Sequence, residues 1–297
     1  MITPSLIIAG IALISSTMLV NMGPSIAGAN PFAAKEEKVE ISSPQPPVKT
    51  TESQPDIKAT SIIAVDKASG TILYEKNADE KRPIASITKL ATAIETVGVY
   101  DLEETVTIPK LPAYKPGDEI IGLKPGETYK VKDLLKALLV NSANDAADSL
   151  AIINSGSSEA FSKNMTEKVK EWGIEDVNFN NPSGLKDEGN EATARAVAKM
   201  GMLALHNQLV EQLVATGTSS ITSTSGRAIP LEPTNKLLQT GQYKGIKTGY
   251  TLASGQCFIG LANVQGHEVI TVVLNSPDRF GETQQLVNWI DNTYKWQ

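Results

Sequence analysis

With one cysteine and two histidines among 297 residues, most thiol and metal chemistry is closed to this chain. Cys257 alone cannot form an intramolecular disulfide, and it lies too far from the N-terminus to be the lipid-bearing cysteine of a lipoprotein. Its neighbours, QCFIGLA, read as a buried strand, so it is expected to fill core space. A working thiolate would need an electropositive, partly exposed setting. His206 ends a helical stretch and His267 begins a β-type run, both ordinary surface positions. No grouping of His, Cys and carboxylates has zinc-ligand spacing, so neither a metal nor another cofactor is expected. Basic side chains are not clustered either. The 27 Lys and Arg against 33 Asp and Glu give a net charge of −6, with no basic face for a nucleic acid.

What is present is ordinary for a globular protein: 41% apolar and 20% charged residues, enough for one large domain or two smaller ones. Leu6 to Val20 is an uncharged, largely apolar run, and Ala27-Gly28-Ala29 offers a small-x-small cleavage site, so residues 1–29 read as a signal peptide. No Lys or Arg precedes the run, and Leu6 to Ile26 is long enough to span a bilayer, which leaves an uncleaved N-terminal membrane anchor open. Either reading makes the protein exported and extracytoplasmic, in the cell wall or at the outer face of the cytoplasmic membrane. Residues 30–57, rich in Pro, Ser, Lys and Glu, are expected to form a disordered linker. The folded domain is then residues 58–297.

Within that domain, SIIAVD and TILYEKN are β-type runs joined by the hairpin signal KASG. A helix after Pro83 carries Ser86 and Lys89, and a loop-rich stretch covers Leu102 to Thr128. Val131, Leu134, Leu135, Leu138 and Leu139 have the spacing of a core helix. Further helices are expected with Phe161, Met165, Val169 and Trp172 on one face, over Ala192 to Leu205, and over Glu282 to Trp296. Strand periodicity returns in GIKTGYT, QCFIGLANV and HEVITVVLN. Strands from both ends with helices between them predict an α+β fold, one antiparallel sheet assembled from both ends beside a mainly helical subdomain.

Three short motifs carry the chemistry. In ASITKL, Ser86 and Lys89 stand at i and i+3 on one helix face. The surrounding Ile84, Ala85, Ile87, Leu90 and Ala91 would strip water from the lysine, lower its pKa and let it take the serine proton. The alternative is a helix N-terminus with a solvated lysine. In NSAND, Ser142 and Asn144 can point into one cleft; taken alone they could equally be helix caps, the role assigned to Asp145. In GIKTGYT, Lys247 and Thr248 put a cation and a hydroxyl on a strand, and Gly249 admits a close approach. Alone, that motif reads as an edge strand guarded by a lysine. An ordered series of S-x-x-K, S-x-N 53 residues on, and K-T-G is a known signature of penicillin-binding proteins and class A β-lactamases, usually with S-D-N in the middle. Here the middle motif is Ser142-Ala143-Asn144.

From Thr60 to Trp296 the chain resembles the serine-type D-Ala-D-Ala carboxypeptidases, the low-molecular-mass penicillin-binding proteins of the β-lactamase/transpeptidase-like superfamily. The likeness is carried by AVDKASGTILYEKNADEKRPIASITKLATA, LLVNSANDAADSLA, NNPSGLKDEGNEATARAVAKM and GIKTGYTLASGQCFIGLA. The resemblance implies peptidoglycan stem peptides as substrates and β-lactam antibiotics as covalent inhibitors. It implies Ser86 as nucleophile, Lys89 as general base, and Ser142 as proton relay in contact with Lys247. Asn144 would bind the substrate backbone, Lys247 and Thr248 the terminal carboxylate, and the N–H groups of Ser86 and Tyr250 the oxyanion, with Gly249 between them and Arg279 a helper for the carboxylate. The sequence ends soon after LVNWIDNTYKW, so the additional C-terminal β-rich domain and amphipathic anchor of many members are not expected, and any membrane attachment should be N-terminal. A D,D-endopeptidase cutting cross-links shares these motifs. A β-lactamase is less favoured, because Asn180 to Glu191 resembles the carboxypeptidases rather than a loop with a deacylating glutamate. A non-catalytic binder has no need of the base. Neither the stem-peptide third residue nor the oligomeric state is legible.

Overall fold

The computed structural model describes residues 44–185 and 189–297, so the signal or anchor expected at 1–29 lies outside the described residues. Five strands form the main sheet: β1 (Ser61–Asp66), β2 (Ile72–Lys76), β3 (Tyr243–Thr251), β4 (Gly255–Val264) and β5 (His267–Ser276). They pair antiparallel in the order β3-β4-β5-β1-β2, so the N-terminal hairpin is stitched to the C-terminal strands at β1 and β5, with Val65 opposite Ile270. The α+β expectation is met, with a sheet built from both ends.

Both faces of this sheet are covered, which is why SIIAVD is apolar almost throughout rather than alternating. The pleat sends Ile63 and Val65 to the helical side and Ile62 and Ala64 to the opposite side. On the helical side lie α1 (Lys89–Val99), α2 (Val131–Val140), α3 (Asn144–Ser155), α4 (Ser158–Glu171), α5 (Ala194–Leu205) and α6 (Gln208–Val214). The leucine stripe of α2 is buried, as its spacing predicts. On α4, Phe161, Met165 and Val169 are buried, but Trp172 stands beyond the last turn and is 62% exposed. The helix stops at Glu171 because the chain turns at Gly173, with φ of +75°. Helix α5 starts later than expected, since Glu191–Ala192 pairs with Arg82–Pro83 and Thr193 caps the helix through Ala196 N–H.

The far face is covered by α7 (Arg279–Thr293), whose Leu286, Val287 and Ile290 meet Phe258, Val269 and Val273. It begins three residues before the expected Glu282 because Asp278 accepts from Gly281 N–H, and it ends before Trp296 because Tyr294–Lys295 becomes a strand. That strand pairs with Val48–Lys49. Packed chain therefore does not start at residue 58: within the expected linker, residues 44–57 run along α7. Thr50 N–H donates to Thr293 O at 2.7 Å, Trp289 Nε1 donates to Ser53 O at 3.2 Å, and Ile57 is buried. Backbone pairing and the Glu282 carboxylate, which accepts from Lys58 and Ala59 N–H, hold a segment whose side chains alone could not. Among the described residues, no helix is long and apolar enough to cross a membrane.

Candidate active site

The strand Arg82–Pro83 delivers the chain into a single 3₁₀ turn, Ala85–Thr88, which continues as α1. Ala85 has φ of +46°, a conformation that a side chain with a Cβ adopts only at a cost, and it turns Ser86 outward into a half-buried position. Lys89, on the next turn, is fully buried. Its Nζ lies 2.9 Å from Ser86 Oγ, 2.7 Å from Asn144 Oδ1 and 2.7 Å from the carbonyl oxygen of Ser183. Burial first, and the nearby charge of Lys247 second, hold the Lys89 pKa well below the lysine range, against the pull of Glu119, Asp148 and Asp145. Two of its three partners are carbonyl oxygens that can only accept. A neutral amine satisfies both with its two N–H groups, and its lone pair then faces the Ser86 hydroxyl. This arrangement can draw a proton from Ser86.

Helix α2 ends at Val140, and Ser142 takes φ of +60° to bring the chain into α3. Ser142 and Asn144 are both buried and point into the same cleft. Asp145 is not the cap expected of it: α3 begins at Asn144 with Ala143 in the cap position, and the Asp145 carboxylate instead accepts from Ile121 N–H and, at 2.9 Å, from Leu123 N–H, fastening the loop before α2 to the start of α3. Asn144 N–H donates to Glu119 O at 2.7 Å in the same loop.

The third wall is β3, at the open edge of the sheet. Lys247 Nζ donates to Ser142 Oγ at 2.9 Å and to Thr248 O at 3.1 Å; burial, partly offset by Glu119 and reinforced by Arg279, lowers its pKa to about 8. Thr248 Oγ1 is 2.7 Å from Thr234 Oγ1. Gly249 lies so near the serine turn that a Cβ there would stand 2.7 Å from Ile84 O and 3.3 Å from Ile87 N. Only glycine permits that approach. Tyr250 follows with its side chain 59% exposed and its backbone opposite Gln256. Arg279 donates from Nη1 to Gly249 O at 2.9 Å, stacks over Phe280 at 4.9 Å, and leaves Nε without a partner among the described residues. Burial lowers its pKa.

The side chains thus form two hydrogen-bonded sets, Ser86–Lys89–Asn144 and Ser142–Lys247, and Thr248, Gly249 and Arg279 follow on the strand side. Cys257 is buried in the core, its thiol pushed up to about 11 by burial. Among the described residues, no three metal-ligating side chains gather.

Sequence reasoning missed the support beneath the serine turn. Ser183 contributes only its carbonyl, which leaves no mark in a side-chain pattern. Gly184 follows, and a Cβ on it would stand 2.0 Å from Ala85 O. Asn190 binds Thr88 Oγ1 at 3.0 Å and Asn181 O at 2.8 Å, while its own carbonyl accepts from Ile84 N–H. The available signal was the run NNPSG, a cluster of turn formers in which Asn181 accepts from Gly184 N–H and Ser183 from Leu185 N–H.

A family model described as D-alanyl-D-alanine carboxypeptidase matches residues 48–278. The D-alanyl-D-alanine carboxypeptidase DacF of Bacillus subtilis is 30% identical over 240 residues, 79% of this chain and 61% of that protein. The chain therefore spans about three fifths of that relative's length. The D-alanyl-D-alanine endopeptidase of Escherichia coli is 32% identical over 251 residues, 82% of this chain and 80% of that one. In structure, the cefotaxime-bound form of penicillin-binding protein D2 from Listeria monocytogenes aligns with a TM-score of 0.69 and 31% identity over 80% of this chain and 100% of its own.

Proposed function

The chain belongs to the D-alanyl-D-alanine carboxypeptidase family, and from that premise we propose that it removes the terminal D-Ala from peptidoglycan stem peptides through an acyl-enzyme on Ser86. The observation that carries this reading is the coordination of Lys89: two carbonyl acceptors and one serine hydroxyl around a buried amine.

Ser86 Oγ attacks the carbonyl carbon of the penultimate D-Ala as Lys89 Nζ accepts its proton. The N–H groups of Ser86 and Tyr250 hold the oxyanion, each worth roughly 3 kcal/mol in the transition state. The tetrahedral intermediate collapses, the peptide C–N bond breaks, and the leaving nitrogen takes, through Ser142 beside Lys247, the proton that Lys89 had accepted, which leaves Lys89 neutral again. Water, deprotonated by Lys89, then attacks the ester and frees Ser86. Asn144 holds the peptide backbone on the acyl side. Lys247 and Thr248 bind the terminal carboxylate, with Arg279 adding positive field behind Gly249. Because these cations await a carboxylate, a free C-terminus is the preferred substrate, and a β-lactam with its own carboxylate acylates Ser86 in the same way. The protein acts outside the cytoplasm, delivered and, if the apolar run stays uncleaved, held there by its N-terminus.

The similarity to an endopeptidase over four fifths of that enzyme's length supports a second reading, hydrolysis of cross-linked peptides. Release of free D-Ala from a synthetic stem pentapeptide by the full chain, beside its Ser86→Ala variant, tests the choice. Release by the parent alone is the expected result. Equal release by both overturns the nucleophile. No release, with a fluorescent penicillin still labelling the parent and not the variant, moves the substrate to cross-linked peptide.

A further inference from the structure

The loop before α2 is pinned to the candidate site at three points. Tyr114 O–H donates to Asp148 at 2.7 Å, Asn144 N–H donates to Glu119 O, and the Asp145 carboxylate takes the N–H groups of Ile121 and Leu123. Glu119 sits between these anchors with its backbone bound to the residue that faces Lys89, yet it is exposed and its carboxylate makes no hydrogen bond or ion pair among the described residues. A carboxylate on a backbone anchored beside the site, with no partner of its own in the fold, is left available to a ligand. Other acidic groups near the cleft are occupied: Asp145 by backbone N–H, and Asp148 by Tyr114 and Ser158. The charge of Glu119 also reaches Lys89, Lys247 and Arg279, so it lies close enough to act on the site.

We propose that Glu119 is a specificity-determining residue that binds an ammonium group on the acyl side of the substrate, the side-chain amine of a diamino residue immediately before the D-Ala-D-Ala pair. The inference rests on the reading above, in which Asn144 holds the acyl-side backbone, because Glu119 is bonded to Asn144 and so borders the next side chain along that peptide. An ammonium pairs with a carboxylate through a charge-assisted hydrogen bond. Uncharged or acylated amines at that position gain nothing from it.

The test measures D-Ala release by the full chain from two pentapeptides, one with a free lysine amine before the D-Ala pair and one with that amine acetylated. Parent enzyme should favour the free amine by about fivefold in kcat/KM, carried by KM, the size of a well-placed solvent-accessible ion pair. Glu119→Gln should abolish the preference. A preference that survives in the variant, or no preference in the parent, overturns the inference while the carboxypeptidase reading stands. Release from neither peptide overturns that reading and this inference with it.

Discussion

Replacing Lys247 with Met should make the fold more stable at neutral pH, and the gain should shrink as the medium becomes alkaline. Lys247 is buried, and its pKa is held at about 8 against an ordinary 10.5. The unfolded chain therefore binds this proton more tightly than the folded one. Below pH 8 both states carry the charge and the folded state bears the whole penalty, about 3 kcal/mol. As pH rises from about 8 toward the unfolded pKa, the folded lysine gives up its proton while the unfolded one keeps it, so the parent gains stability across that window. By pH 10 under about 1 kcal/mol of penalty is left. Methionine, of similar length and uncharged, escapes the penalty at every pH. It also strands Ser142 Oγ, a loss of about 1–2 kcal/mol that does not depend on pH. The net gain at pH 7 is thus modest, and the sharper quantity is its change. Urea unfolding of both proteins at pH 7 and pH 10 should show the advantage of Lys247→Met falling by roughly 2–3 kcal/mol. Lys89 moves with it, since removing the charge at 247 relieves one cause of its own depression. A gap that is constant from pH 7 to pH 10 refutes the claim that the lysine is held dehydrated.

Gly249→Ala should separate β3 from the serine turn, because the nearest obstacle, Ile84 O at 2.7 Å, is backbone and cannot swing aside. Acylation by a fluorescent penicillin should fall at least about tenfold, as misplacement of reacting groups by a fraction of an ångström does; an undiminished rate rejects the packing argument. Glu282→Ala should cost about 2 kcal/mol by stranding the N–H groups of Lys58 and Ala59 and the Ser276 hydroxyl. Calorimetry should then show a lower Tm, and limited proteolysis faster cutting between residues 50 and 58. An unchanged melting curve with an unchanged digest counts against the clamp.

Much of this molecule was legible in its residues. The α2 stripe follows from its helical spacing, and the last two strands of the sheet from continuous apolar runs, because those strands are covered on both faces. Spacing also brought Ser86 to Lys89, since one helical turn sets that distance whatever the tertiary fold. What escaped was held by backbone. The carbonyl of Ser183 and the positive φ of Ala85 and Ser142 belong to no residue type, so composition cannot announce them. Residues 44–57 look like a tether because their side chains are polar, yet strand pairing and a buried glutamate order them without an apolar face. Glu119 was silent for the opposite reason: one exposed acid in a loop differs from any other only when the rest of the site stands around it.

The joining of β1 to β5 also sets an order in time. Strand β1 is buried along its whole length, and besides β2 its partner is a strand near the far end of the chain. A nascent chain emerges N-terminus first, so SIIAVD must wait, apolar and unpaired on one edge, until His267–Ser276 has followed it. Ser86 and Lys89 are made early, but Lys247, Gly249 and Arg279, which form the opposing wall, come last. A chain halted short of β5 would already hold the serine, its amine and Lys247, but with no strand to join β3 and β4 to β1. Reactivity toward a penicillin should therefore appear only in finished molecules, in a single late step, which makes it a reporter of completed folding as well as of chemistry.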